Sequence, residues 1–306
     1  KNVFTKLKKE NFDEILVSVD FDIYAKKRDE EVEKIIPIKR FLDSYLIDPK
    51  IILKSDQKPY KVFTPFYNYL EPLHQSNHIE EFKIATNIKK INFDYNFFPT
   101  LQDLSFIEQK LPDFLYKSAD ELITIFSKKI NNYQKNRDFF HLDTGSNLSV
   151  HLRFGLISAK MVFNKIKKLQ APKKEIDFFI RELIWREFYN YILFHFPKSQ
   201  FENLNGIEVN WNENEEDFKK WCEGNTGVPI IDASMKHLNN TGLMHNRLRM
   251  IVASYLVKNL LIDWKKGEEY FALKLLDYEA SSNIGSWQWA ASTGVDAVPY
   301  FRVFNP

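Results

Sequence analysis

Several things are scarce in this chain, and each scarcity excludes something. Its 306 residues hold one cysteine, Cys222, so no intramolecular disulfide is possible and a reducing, cytoplasmic setting is expected. No apolar run is long enough to span a bilayer, and no secretory signal is expected ahead of the first structured segment. Charge is nearly balanced, at +2, so the chain is not a polycation and any nucleic-acid surface must be a local patch. Internal repeats and low-complexity tails are missing. Aromatic residues, in contrast, are plentiful: 27 Phe, 14 Tyr and 6 Trp. For most of them the simplest account is a phenylalanine-filled core, and the length suits one large domain or two smaller ones.

A helix-like stretch ends near Glu10, and residues 14–19 form a short apolar run that reads as a buried strand. Residues 29–46 have helical spacing, with Ile35, Ile38, Leu42 and Tyr45 on one side, which makes helix, strand, helix: a fragment of an α/β unit. A lone strand has open edges, so more chain is expected before Lys1. Residues 51–53 and 60–66 make an irregular section punctuated by Pro59 and Pro65. A long, polar, proline-marked connector follows from about Glu71 to Asp113. Beyond Ser118 the pattern is almost wholly helical, with helices expected over 121–133, 150–170, 174–196, 217–222, 231–239, 246–259 and 267–276.

Four places carry chemistry. The first is Thr144-Gly145-Ser146-Asn147-Leu148-Ser149, ahead of a helix, where free backbone N–H groups suit an anion. On this hexamer alone an ordinary N-cap by Ser149 is the better account. The second is the face shared by Glu182, Trp185, Arg186 and Tyr189. A carboxylate, an indole and a guanidinium suit a flat, polar-edged ligand, while an amphipathic helix with a Glu182–Arg186 pair explains them equally well. The third is the run Asn246 to Met250. Asn246 can donate and accept at a base edge, Met250 offers a soft apolar contact, Arg247 suits a phosphate, and Arg249 suits an acid such as Asp277. The fourth is Asp277-Tyr278-Glu279 with Asn283 and Trp287-Gln288-Trp289. The two tryptophans point about 200° apart on a helix, so they are not expected to serve one partner. Taken alone, two separate core tryptophans are the better account of them.

The order and combination of these segments resemble the FAD domain of the photolyase/cryptochrome family, from about Ser118 to Pro306. Lys61-Val62-Phe63-Thr64-Pro65-Phe66 is similar to the boundary segment that follows that family's α/β domain. The resemblance implies a partial Rossmann-like antenna domain (1–70), a connector (71–112) and an all-α FAD- and DNA-binding domain (113–306), with both ends of the family sequence cut. It implies FAD contacts at Tyr133, Gly145, Ser146, Asn147, Leu148, Ser149, Arg249, Asp277, Tyr278, Glu279 and Asn283, with Asn283 facing flavin N5. Gly145 stands where the family usually has Thr, and Glu279 where Asp is usual.

The lesion pocket implied by the resemblance is Glu182, Trp185, Asn246, Met250 and Trp289, framed by Arg137, Arg186, Tyr189 and Arg247. The chemistry implied is light-driven electron transfer to a flipped-out cyclobutane pyrimidine dimer, as in the class I photolyases, with no metal. Glu182 would stabilise the radical anion, and Trp287, Trp264 and Trp211 would carry electrons to the flavin during photoreduction. The folate contacts of one family branch are missing at Tyr24-Ala25, which leaves the antenna chromophore open. The expected partner is ultraviolet-damaged DNA and the expected state a monomer. A cryptochrome-type blue-light receptor is the non-enzyme alternative.

Overall fold

A computed structural model describes residues 2–76, 78–81, 100–107, 111–297 and 299–304. The first elements are helix α1 (Asn2–Lys9), strand β1 (Ile15–Ser18), helix α2 (Ile23–Glu33) and strand β2 (Ile38–Phe41). The strands pair in parallel, Ile15 opposite Ile38 and Ser18 opposite Phe41, with α2 as the crossover. Asp22 starts α2 by accepting the Ala25 N–H at 2.8 Å. The helix expected over residues 29–46 is therefore corrected. It ends at Glu33, and the same stretch goes on into β2. Pro37 disfavours helical backbone at Ile36, and apolar spacing alone does not register that break.

Helices α3 (Phe63–Tyr69) and α4 (Glu71–Gln75) lie where an irregular section and the start of a connector were expected. Pro65 is tolerated because it falls in the first turn of α3, where no intrahelical N–H bond is lost. Connector residues 82–99 and 108–110 lie outside the described residues. Helix α5 (Ala119–Ser127) begins at a capping box of Ser118 and Glu121. Helices α6 (Tyr133–Asn136), α7 (Ser149–Arg153) and α8 (Ala159–Lys167) then replace longer expected helices. Gly155, at φ +67°, ends α7, and Ser158 restarts the chain as α8 by accepting the Met161 N–H at 3.1 Å.

Helix α9 (Lys173–His195) runs 23 residues. After it come α10 (Glu215–Glu223), α11 (Pro229–Thr241), α12 (Asn246–Ser254) with a π-turn over Tyr255–Asn259, α13 (Trp264–Lys274) and α14 (Ala280–Ala291). Helix α14 packs on α9, α12 and α13. Phenylalanines fill one core around α9, among them Phe63, Phe66, Phe126, Phe163 and Phe188. A second core gathers Trp221, Trp264, Phe271 and Trp287. Among the described residues, no helix is long and apolar enough to cross a membrane.

One side of α9 grips the chain segment that follows the sheet. Arg186 donates to the Ser44 carbonyl at 2.6 Å, and Tyr191 donates to Ile52 and accepts from Tyr60. Glu187, buried, accepts the Leu46 and Ile47 N–H groups at 3.0 and 3.2 Å. Burial pushes its carboxyl up to about 7, against the pull of those two amides. The folded value exceeds the ordinary 4.5, so stability from this group is fully present below pH 4.5 and is lost as pH rises through about 7. The loss is on the order of 3 kcal/mol. Chemical denaturation from pH 5 to 8 checks it: the Glu187→Gln chain lacks this component, and identical pH profiles for the two chains would contradict it.

Candidate flavin and nucleic-acid cavity

A cavity of about 620 Å³ opens between α9, α12 and α14. Helical spacing brings Glu182, Trp185, Arg186 and Tyr189 to its wall from α9, one turn below another. Helix α12 adds Asn246, Arg247, Arg249 and Met250. The turn before α14 adds Asp277, Tyr278 and Glu279, and α14 itself adds Asn283, Trp287 and Trp289. Arg137 enters from the end of α6.

The two tryptophans of α14 were expected to serve different partners. Both line this one cavity, which therefore extends round more than one side of α14. Their ring neighbours do differ. Trp287 lies edge-on to Phe271 at 5.1 Å and to Trp221 at 6.0 Å, and Trp289 stacks on Phe304 at 6.1 Å. Trp264 is buried in the same core as Trp287 and donates its indole N–H to Asn203 at 2.9 Å. Trp211 is partly buried against that core.

Four of the five arginines at the cavity are ion-paired, and the fifth, Arg181, lies over the Phe63 and Tyr67 rings. Arg137 meets Glu182 at 2.5 Å, Arg186 meets Glu279 at 2.5 Å, Arg247 meets Asp138 at 2.6 Å, and Arg249 meets Asp277 at 2.8 Å. Arg249 also donates to the Met244 carbonyl, which fixes the plane of its fork. Glu279, the residue one methylene longer than the usual Asp, reaches Arg186 and accepts from the Ser282 hydroxyl at 2.6 Å. Each guanidinium can exchange its carboxylate for a phosphate without moving far. The rest of the lining includes Phe178, Phe271 and Ala290, which suits a flat aromatic ring system. Paired cations, amide and hydroxyl groups and an apolar floor fit the diphosphate, ribityl and isoalloxazine parts of FAD.

The rest of the expected flavin set is not among the lining residues, although Tyr133 packs directly behind them. Tyr133 is buried between Phe126 and Phe179 and carries Arg137 over its ring. Residues 145–149 do not line the cavity. Leu148 is buried in the core and holds the N-cap position of α7, which corrects the expected cap at Ser149. A Cβ on Gly145 would meet nothing closer than Asn147 Oδ1 at 3.8 Å, so the fold itself does not demand glycine there.

Three neighbours were not legible as site residues. Glu268, on α13, accepts from Asn283 at 3.0 Å and from the Tyr278 hydroxyl at 3.1 Å, and so sets the amide of Asn283. Burial raises its carboxyl above the ordinary range. Trp221 was visible only as a tryptophan, and its contact with Trp287 joins residues far apart in sequence. Gly267 is the third. A Cβ there would collide with the Trp287 ring and Leu256. Gly267→Ala is expected to cost about 1–3 kcal/mol and to displace the indole. Thermal unfolding checks this, and an unchanged midpoint would mean that the Trp287 ring gives way freely.

The same fold is found in known proteins. Residues 179–306 match the model for the FAD binding domain of DNA photolyase, and residues 1–83 match the model for DNA photolyase. A deoxyribodipyrimidine photo-lyase of Alkalihalophilus pseudofirmus is 40% identical over 294 residues, which is 89% of this chain and 58% of the relative. The chain thus spans less than two thirds of that relative. A class III photolyase structure from Agrobacterium tumefaciens superposes with a TM-score of 0.84 at 32% identity, covering 99% of this chain and 66% of that one. An archaeal photolyase from Sulfolobus tokodaii, solved with two FAD molecules, gives 0.81 at 32% identity over 100% of this chain and 67% of that one. With its parallel strands, helical body and cavity of paired arginines and tryptophans, the chain belongs to the DNA photolyase/cryptochrome family.

Proposed function

We propose that this chain is part of an enzyme that splits cyclobutane pyrimidine dimers in ultraviolet-damaged DNA, using light and FAD. One observation carries the proposal: the stripes of α9, α12 and α14 meet in a single cavity that holds base-like recognition groups and cofactor-like ion pairs together. When bound, FAD supplies the light absorption and the one-electron chemistry.

The chain's own residues do the rest. A dimer pairs weakly and leaves the stack at lower cost than a normal base pair. Trp185 and Trp289 offer apolar planes for its bases, Met250 offers a soft apolar contact, and the Asn246 amide donates and accepts at a base edge. Glu182 accepts the dimer's N–H groups while Arg137 holds its carboxylate in place. Arg247 exchanges Asp138 for a DNA phosphate. Glu268 accepts from the Asn283 amide N–H and so fixes the rotamer of Asn283, the residue that would face flavin N5. Arg249, Asp277, Tyr278 and Glu279 hold the cofactor, with Tyr133 and residues 145–149 as its more distant contacts. Trp287, Trp264 and Trp211 are the electron path that restores the reduced cofactor.

In the same proposal residues 1–70 are the end of an antenna domain, 71–112 a connector and 113–306 the FAD- and DNA-binding domain. The chain acts as a cytoplasmic monomer. Purification with and without added FAD, followed by binding in the dark, tests the proposal. The flavin absorbance should stay with the chain, and dimer-containing DNA should bind more tightly than undamaged DNA. A folded chain that holds no flavin would overturn it. Flavin bound with no preference for the dimer would favour a cryptochrome-type receptor. Arg247→Ala should weaken binding to both DNAs and lower the salt slope by about one.

A further inference from the structure

Trp185 does not stand freely in the cavity wall. Phe63 lies flat against it, with ring centroids 3.5 Å apart and planes within 5° of parallel. An eclipsed stack of this kind is not what an aromatic pair prefers when left to itself, since offset and edge-to-face arrangements are lower in energy. The surroundings therefore impose it. Phe63 is 1% exposed and does not line the cavity. It sits edge-on to Phe188 at 5.7 Å, and the Arg181 guanidinium lies 5.5 Å from its ring.

Phe63 is the first residue of α3, so it reaches the indole from an element other than the helix that carries Trp185.

We propose that Phe63 is a positioning residue that fixes the plane of Trp185 for stacking on a flipped base. The inference rests on the damage-binding reading of the cavity. With Phe63 flat on one face of Trp185 and Phe188 edge-on beside it, the other face is what is left to a ligand. The plane of that face decides how well a base stacks, and a ring free to tilt would lose contact area with it. Phe63→Leu keeps apolar volume and removes the flat support.

The test is a double-mutant cycle on the FAD-loaded chain, reading the ratio of affinities for dimer-containing and undamaged DNA. Phe63→Leu should lower that ratio by up to about tenfold, and Phe63→Tyr should restore it. In a Trp185→Ala background, Phe63→Leu should have no further effect on the ratio, because the support acts only through the indole. A plain loss of stability would not follow this pattern. An unchanged ratio in Phe63→Leu, or an equal drop in both backgrounds, would overturn the inference and leave the cavity's function standing. A parent chain without preference for the dimer would overturn both.

Discussion

Glu182→Gln is expected to lower the yield of dimer splitting per absorbed photon by about tenfold, with FAD still bound. Glutamine keeps the size of the side chain and one acceptor oxygen. What it loses is the charge, and with it the pair to Arg137 at 2.5 Å. Arg137, whose side chain is 17% exposed, is then left without its partner beside the dimer. As the dimer gains an electron its carbonyl oxygens accept hydrogen bonds more strongly, so a cationic donor held beside it, the Arg137 guanidinium that Glu182 places, contributes to the reaction more than to binding. Affinity for dimer-containing DNA should therefore fall less than the repair yield. Flavin absorbance separates this from a damaged site. A variant that repairs as well as the parent would take Glu182 out of the chemistry, and one that loses flavin would place it in cofactor binding instead.

Trp287→Phe is expected nearly to abolish light-driven reduction of the bound oxidised cofactor, while repair by chemically reduced protein continues. Trp287 is 2% exposed, lines the cavity and packs edge-on to Phe271 and Trp221, which suits the cavity end of the proposed tryptophan path. Phenylalanine keeps much of the packing and loses the readily oxidised indole. Transient absorption during illumination reads the first step, and dithionite-reduced protein gives the repair control. Equal photoreduction in parent and variant would remove Trp287 from the electron path. Loss of repair in the reduced variant would mean that the indole also shapes the cavity.

Much of this was legible in the sequence because it is local. Glu182, Trp185, Arg186 and Tyr189 recur at helical spacing, and that spacing alone places them on one face of α9. Arg249 and Asp277 are complementary in charge and do pair. Local spacing misled where a single residue breaks the pattern: Ile35 and Ile38 keep helical intervals across Pro37, and the chain nevertheless leaves α2 for β2. Residues 145–149 and Tyr133 join the flavin contacts only through the family resemblance, since no spacing within one element links them to α9, α12 or α14. The supports were hidden altogether. Phe63 and Trp185, Glu268 and Asn283, and Gly267 and Trp287 are pairs from separate elements, which no periodicity within one element connects.

The most direct test of the central claim is loss of cyclobutane dimers from an oligonucleotide under blue light, with the chain loaded with FAD and reduced. Dimers should disappear in proportion to the light dose, remain in the dark, and remain under light with Glu182→Gln far longer than with the parent. A folded, flavin-loaded chain that binds the dimer and leaves it intact under light would contradict the claim.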